Sequence, residues 1–195
     1  MAETTISGAV HPILENDYAS EWMGIEVLSL GDGQATIRMT LRQEMLNGFG
    51  MAHGGMIFAF ADTAFALACN PATPAAGTPT LDEGAPTPAA GTPTPDEGPE
   101  TPGAGAADTN GAAGAAADSI TVASGVDINF LKPAFQGQVI TAVANRRSST
   151  GRSGLYDIQI FAADPGSELN AGKPGELIAE FRGRSRTIPK TRNKS

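Results

Sequence analysis

Five residues in one short stretch could do chemistry together: Asn47, His53, Gly54, Gly55 and Asp62. Gly54 and Gly55 open a run, 54–70, that is apolar on nearly every side and reads as a helix bound for the interior. The first N–H groups of a helix have no internal partner, and without side chains at the two glycines a ligand atom can approach them. Those donors, with the positive end of the helix dipole, can hold a carbonyl oxygen and stabilise it as it becomes an oxyanion. Asp62, flanked by Phe58, Phe60, Ala61 and Phe65, is the one carboxylate in the run. Acidic side chains are seldom buried without a partner or a task. It follows Gly55 by two helical turns and shares nearly the same face. With Asn47 and His53 on the loop just before, this set suits hydrolysis of an activated acyl group: carbonyl polarised, water positioned, proton removed. The plainer alternatives are a structurally paired carboxylate at Asp62, a backbone-bonded loop histidine at His53, a turn residue at Asn47 and a tight turn at the glycines.

Such a helix needs a wrapping. The chain supplies two strand-like runs, 24–30 and 34–41, joined by Gly31-Asp32-Gly33, whose Asp-Gly pair signals a tight turn. In the second, Ala35, Ile37, Met39 and Leu41 alternate with Thr36, Arg38 and Thr40, so one face is buried. Four more strands follow the helix, at 120–130, 138–146, 154–163 and 175–187. In the first of these Ile120, Val122, Val126, Ile128 and Phe130 share one parity, and Lys132-Pro133 ends it. Before the hairpin, Ile13, Leu14, Tyr18, Trp22 and Met23 are spaced along one face of a short helix over 11–23 that Gly24 ends; residues 1–9 carry no periodic signal and are expected to be loose. The expected architecture is α+β: a curved antiparallel sheet of five to six strands round one long central helix.

Between 71 and 118 the chain is almost entirely Ala, Gly, Thr, Pro, Asp and Glu, and Thr73–Pro86 is nearly repeated by Thr87–Glu100. This composition has no core to bury and predicts a disordered insert in a single domain whose folded part is about 11–70 and 119–188. The six Thr-Pro dipeptides read as spacer or repeat drift more readily than as phosphorylation sites. Seven of the acidic residues sit in the insert, so the formal charge of −8 falls to about −1 for the remainder. That balance argues against a nucleic-acid surface, and the basic residues from Arg182 to Lys194 read as a solvated strand face and tail. Cys69 is the only cysteine, which excludes an intrachain disulfide; two distant histidines offer no metal cluster; His11 reads as a surface residue. No apolar run reaches membrane-span length and none follows a basic start, which together point to a cytoplasmic protein without cofactor or membrane partner.

The run His53-Gly54-Gly55, then Phe58 and Ala61-Asp62-Thr63-Ala64-Phe65-Ala66, with Asn47-Gly48 upstream, resembles the hotdog-fold acyl-CoA thioesterases, above all the PaaI type of phenylacetate degradation. The likeness takes in everything except 71–118, including Val126 to Ala134 and Gly175 to Arg186. It implies a homodimer whose sheets join edge to edge, commonly paired again into a homotetramer, with acyl-CoA bound at the subunit interface. By that resemblance the Gly55 amide of one subunit polarises the thioester carbonyl and Asp62 of the other acts as general base or nucleophile. Asn47 would hold the water or the thioester, and His53 would support the loop or line the site. Gly54 and Thr63 would contact substrate, and Arg147 and Arg152 would meet the coenzyme phosphates.

Two other readings stand beside this one. A hotdog enoyl-CoA hydratase would want a histidine close to the acid on the helix, whereas His53 precedes it. A non-catalytic acyl-CoA-binding or scaffold module would use the Thr-Pro tract to recruit a partner.

Overall fold

In a computed structural model of the chain, residues 7–8, 11–71, 119–167 and 174–190 are described. The expected insert therefore lies outside the described residues, as do most of 164–174 and the last five residues. The described strands are β1 (Ser7–Gly8), β2 (Glu26–Gly31), β3 (Gln34–Thr40), β4 (Ser119–Phe130), β5 (Val139–Thr150), β6 (Ser153–Ala163) and β7 (Glu176–Pro189). Two α-helices accompany them, α1 (Tyr18–Met23) and α2 (Gly54–Cys69). One sheet holds all the strands in the order β1-β2-β3-β5-β6-β7-β4, antiparallel except where the two-residue β1 lies parallel to β2. Ser7 and Gly8, expected to be loose, thus add a short edge to six long strands.

The sheet wraps α2. Ile57, Phe60, Ala61, Ala64, Phe65, Leu67 and Ala68 of the helix are buried, and they face the inward side chains of β3, β5, β6 and β7. Small residues on those strands, Ala142, Ala144 and Ala179, let the helix sit close. Gly183 matters most: a Cβ there would stand 2.8 Å from the Phe65 ring. The bare backbone lets that ring settle edge-on against Tyr156, with centroids 5.3 Å apart. Each such aromatic, fully buried, contributes about 1.5–3 kcal/mol.

Three local departures from the expected elements have physical causes. The single helix over 11–23 is instead a 3-10 turn, Pro12–Leu14, followed by α1. Asn16 adopts φ 62° and Asp17 caps α1 by accepting from the Ser20 N–H, so the helix restarts. In β4 the register against β7 slips between Ala123 and Gly125, leaving Ser124 as a bulge. One extra residue reverses the faces, so Ile120 and Val122 lie on the opposite side from Val126 and Ile128 despite their shared parity. Only the latter two pack against the core. The third is the β5–β6 connection, expected between strands ending at 146 and starting at 154, which shrinks to Gly151-Arg152 with Gly151 at φ 56°.

At its C-terminal end α2 is stitched to β4. The Asn70 side-chain amide donates to Thr121 O at 2.9 Å, and its oxygen accepts from Thr121 N at 2.9 Å. His11 Nε2 donates to Asn70 O at 2.6 Å while its Nδ1 accepts from Ile13 N. His11 is 5% exposed, so it is an internal strut and not the surface residue its sequence context suggests.

Candidate active site

The loop leading into α2 is fixed on both flanks. Ala52 N donates to Ala134 O at 2.8 Å, and His53 N donates to Met45 O at 2.8 Å. Asn47 organises its tip: its side-chain oxygen accepts from Phe49 N at 2.9 Å and from Met51 N at 3.3 Å. That oxygen is spent on holding the turn, as the plainer reading of Asn47 requires.

His53 is the N-cap of α2, with extended backbone, and its Nδ1 accepts from the Gly55 N–H at 3.0 Å. Two consequences follow. The Nδ1 atom that accepts here carries no proton, which leaves Nε2 as the ring's donor. And of the two glycine amides, Gly55's is occupied by the chain's own side chain, whereas Gly54's has no partner among the described residues. Gly54 also lies against Phe130, whose ring would be 3.2 Å from a Cβ at that position. An apolar groove of about 430 Å³ runs past it between Met51, Ile57 and the 130–134 segment.

Asp62 is half-buried on the flank of α2 turned toward α1, with no hydrogen bond or ion pair among the described residues. Loss of water holds its carboxyl above the usual carboxylate range. Such a group keeps a stronger affinity for a proton than a solvated aspartate has, which suits a base. The carboxylate opens on a cavity of about 250 Å³ between the 3-10 turn, α1 and α2. Thr63 lies beside it, with Oγ1 3.2 Å from both Ser20 Oγ and Ala59 O. Cys69, further along α2, is no rival nucleophile, since burial pushes its thiol up to about 12.

The residues expected to act together are thus only partly gathered in one chain. Asn47, His53, Gly54 and Gly55 cluster at the start of α2, and Asp62 with Thr63 stands about 10 Å further along the axis. Arg147 is turned to the outer face of the sheet, away from α2, where it pairs with Asp157 at 3.1 Å beside Arg182 at 2.7 Å. Arg152 has no ion pair among the described residues but sits at the far end of the sheet. Its neighbour Ser153 pairs with Arg186, which pairs with Val122, eight residues or about 26 Å along β4 from the Phe130 that touches Gly54. Ser20 and Asp17, which face Thr63 and Asp62 from α1, carry no sequence motif; only their N-cap spacing, Asp17 three before Ser20, could have drawn notice.

The chain matches the Thioesterase superfamily model over residues 103–168. Over 178 residues it is 31% identical to the acyl-coenzyme A thioesterase PaaI of Escherichia coli K12, spanning 91% of this chain and 88% of that protein. The solved structure of E. coli PaaI, from the phenylacetic acid degradation operon, superposes with a TM-score of 0.61 at 29% identity, covering 93% and 91% of the two chains. A Streptococcus mutans protein solved with acetyl CoA shares the fold at a TM-score of 0.53 and 13% identity, covering 86% and 91%.

Proposed function

This chain belongs to the PaaI-type acyl-coenzyme A thioesterases, hotdog-fold thioester hydrolases, and we propose that it cleaves an aryl-acetyl thioester of coenzyme A at a site shared by two subunits. The observation that carries this reading is Asp62: an unpaired, half-buried carboxylate on a largely apolar helix, open to a cavity, with burial raising its affinity for a proton. The aryl-acetyl substrate is supported by the likeness to a protein of the phenylacetic acid degradation operon.

Gly54 and Asp62 are too far apart along one helix to hold the same carbonyl group from both sides. Two copies resolve this. β4 is a twelve-residue edge strand with no strand beyond it among the described residues. It ends in Phe130 and Leu131, each about half exposed. An exposed edge of that length is a template for pairing, and a second copy added there brings one subunit's α2 N-terminus toward its partner's Asp62. A further pairing would make the tetramer.

In the shared site the thioester oxygen accepts from the unoccupied Gly54 N–H, reinforced by the helix dipole, and gains the Gly55 N–H when His53 swings aside. Asp62 then acts in one of two ways. As general base it takes a proton from the water that attacks the carbonyl carbon; as nucleophile its oxygen forms a mixed anhydride that water later opens. Either way the C–S bond breaks and coenzyme A leaves as thiolate, which takes up a proton from solvent. Label found in Asp62 after single-turnover hydrolysis in heavy-oxygen water marks the anhydride route, in which water opens the anhydride at the Asp62 carboxyl carbon.

The deciding experiment is Asp62→Asn, assayed by thiol release from phenylacetyl-CoA. A loss of about 10²–10⁴ in kcat is expected, and full activity would remove Asp62 from the mechanism. The same variant carries a stability signature. Because the native state holds the Asp62 proton more tightly than the unfolded chain, stability falls as pH rises from the usual value of 3.8 through the raised one. Asp62→Asn therefore raises Tm at neutral pH, and the gain vanishes in acid below that usual value.

A further inference from the structure

We infer that residues 11–24 form a strap that shields Asp62 from bulk water, and that His11 is a positioning residue for the reaction, fastening that strap to the far end of α2. The inference rests on the function proposed above, because the strap acts on the reaction through Asp62.

The two ends of the strap meet on one strand. It follows β1, where Gly8 pairs with Val27, and it runs into β2, where Glu26 pairs with Ser7. Between those ends the 3-10 turn and α1 lie along α2 and wall the cavity on which Asp62 opens. Little apolar burial holds that wall down: Leu14 and Met23 pack inward, while Ile13, Tyr18 and Trp22 are exposed. α1 has six residues, well below the roughly 12–15 at which an isolated helix is even marginal. A segment of this kind opens more readily than the sheet, so its position depends on a few polar ties.

Three such ties are present. At one end, His11 Nδ1 accepts from Ile13 N at 3.1 Å and its Nε2 donates to Asn70 O at 2.6 Å. A backbone N–H can only donate and a carbonyl can only accept, so a single uncharged tautomer serves both. In the middle, Ser20 Oγ and Thr63 Oγ1 lie 3.2 Å apart. At the other end Arg42 donates to Trp22 O at 2.6 Å and to Met23 O at 3.1 Å, with its guanidinium 5.1 Å from the centre of the Trp22 ring. Asn70 follows Asp62 by about 12 Å of helix, and His11 is no part of the cavity wall. His11 therefore reaches Asp62 only through the strap.

What the strap supplies is a dry flank. Burial is what holds the Asp62 carboxyl above the usual carboxylate range. The other titratable groups facing it are Asp17, carried on the strap, and Cys69 of α2, whose thiol stays neutral. Release of the strap lets water in and takes Asp17 away, and both changes weaken the hold of Asp62 on a proton. A fastened strap thus keeps Asp62 the stronger base.

The test replaces His11 in the full-length protein by Phe, which keeps a ring without its bonds, and by Gln, whose amide can still donate to Asn70 O. Amide exchange of residues 11–24, followed by mass spectrometry, is read beside the pH profile of kcat/KM for phenylacetyl-CoA. In His11→Phe the strap should exchange about tenfold faster while the protection of the sheet is unchanged. The acid limb, where the base loses its charge, should move to lower pH, so that kcat/KM in acid relative to neutral pH rises about threefold. His11→Gln should recover most of both effects. No charge is lost in either variant, so the move reports solvation. Arg42→Met frees the other end of the strap and should move both readings the same way, whereas loss of a positive charge alone would drive the acid limb upward; it decides the matter if His11→Phe does not fold. Strap exchange within about twofold of native overturns the fastening. Faster exchange with an unmoved acid limb overturns the link to Asp62 and leaves His11 a purely structural residue. Full activity in Asp62→Asn would instead sink the reading beneath both, so the failures are distinguishable.

Discussion

The two ends of α2 are built to opposite rules, although a histidine stands at each. At the C-terminal end, His11 is buried and both ring nitrogens are bonded, Asn70 faces Thr121 through two hydrogen bonds, and little polar capacity is left over. At the N-terminal end, His53 is exposed, it covers only one of two glycine amides, and Gly54 keeps its N–H unspent beside an apolar groove. Buried polar groups are almost always satisfied, as at the C-terminal end, whereas the free donor and exposed apolar neighbours at the N-terminal end are what our proposal gives to the thioester. Asp62 repeats the contrast in the middle of the helix, as an acid with no partner on a face that could have offered one.

The sharpest way to break this contrast is Gly54→Pro. Proline is well tolerated at the first position of a helix, and His53 already has the extended backbone that a residue before proline needs. The substitution deletes the free N–H and little else. Activity should fall about 10²–10³-fold with Tm nearly unchanged, whereas Gly54→Ala, which crowds Phe130 in the same way but keeps the N–H, should lose far less. Equal losses in the two would mean that the ring contact, not the donor, matters.

At the other end the expected signs reverse. Asn70→Ala removes both hydrogen bonds to the Thr121 backbone, which should cost about 1–3 kcal/mol in urea unfolding while kcat per folded molecule stays within twofold. A drop in kcat without loss of stability would erase the distinction between the ends. The smallest effect is expected from removing residues 73–116. The described residues that flank them, Pro71 and Ser119, adjoin the stitch between Asn70 and Thr121, so thiol release should be unchanged within about twofold, and a larger loss would tie the insert to the site.

Much of this was legible in the chain. The β2–β3 hairpin followed from Gly31-Asp32-Gly33 and the alternation of Ala35 to Leu41, since both signals are local. So did the apolar helix and the oddity of Asp62 within it. What escaped depended on partners distant in sequence or on single-residue slips. His11 finds Asn70 fifty-nine residues away, and nothing near it announces burial. The bulge at Ser124 turns Ile120 and Val122 to the other face, and period-two reasoning cannot see an extra residue. A similar slip beside Arg147 accompanies its turn away from the helix. Which glycine amide is free depended on a rotamer of His53, and sequence does not encode that rotamer in any readable pattern.

The stitch between Asn70 and Thr121 joins residues fifty-one apart, and that separation has a consequence for how the chain folds. Joining the ends of a longer loop costs little at equilibrium, about 0.6 kcal/mol per doubling, so the finished protein hardly registers the added length. The rate does register it. β4 must find β7 and the end of α2 after a long search, which raises contact order and slows folding. Until then β7 and the apolar flank of α2 wait uncovered, so shortening the insert should show first in refolding kinetics and yield.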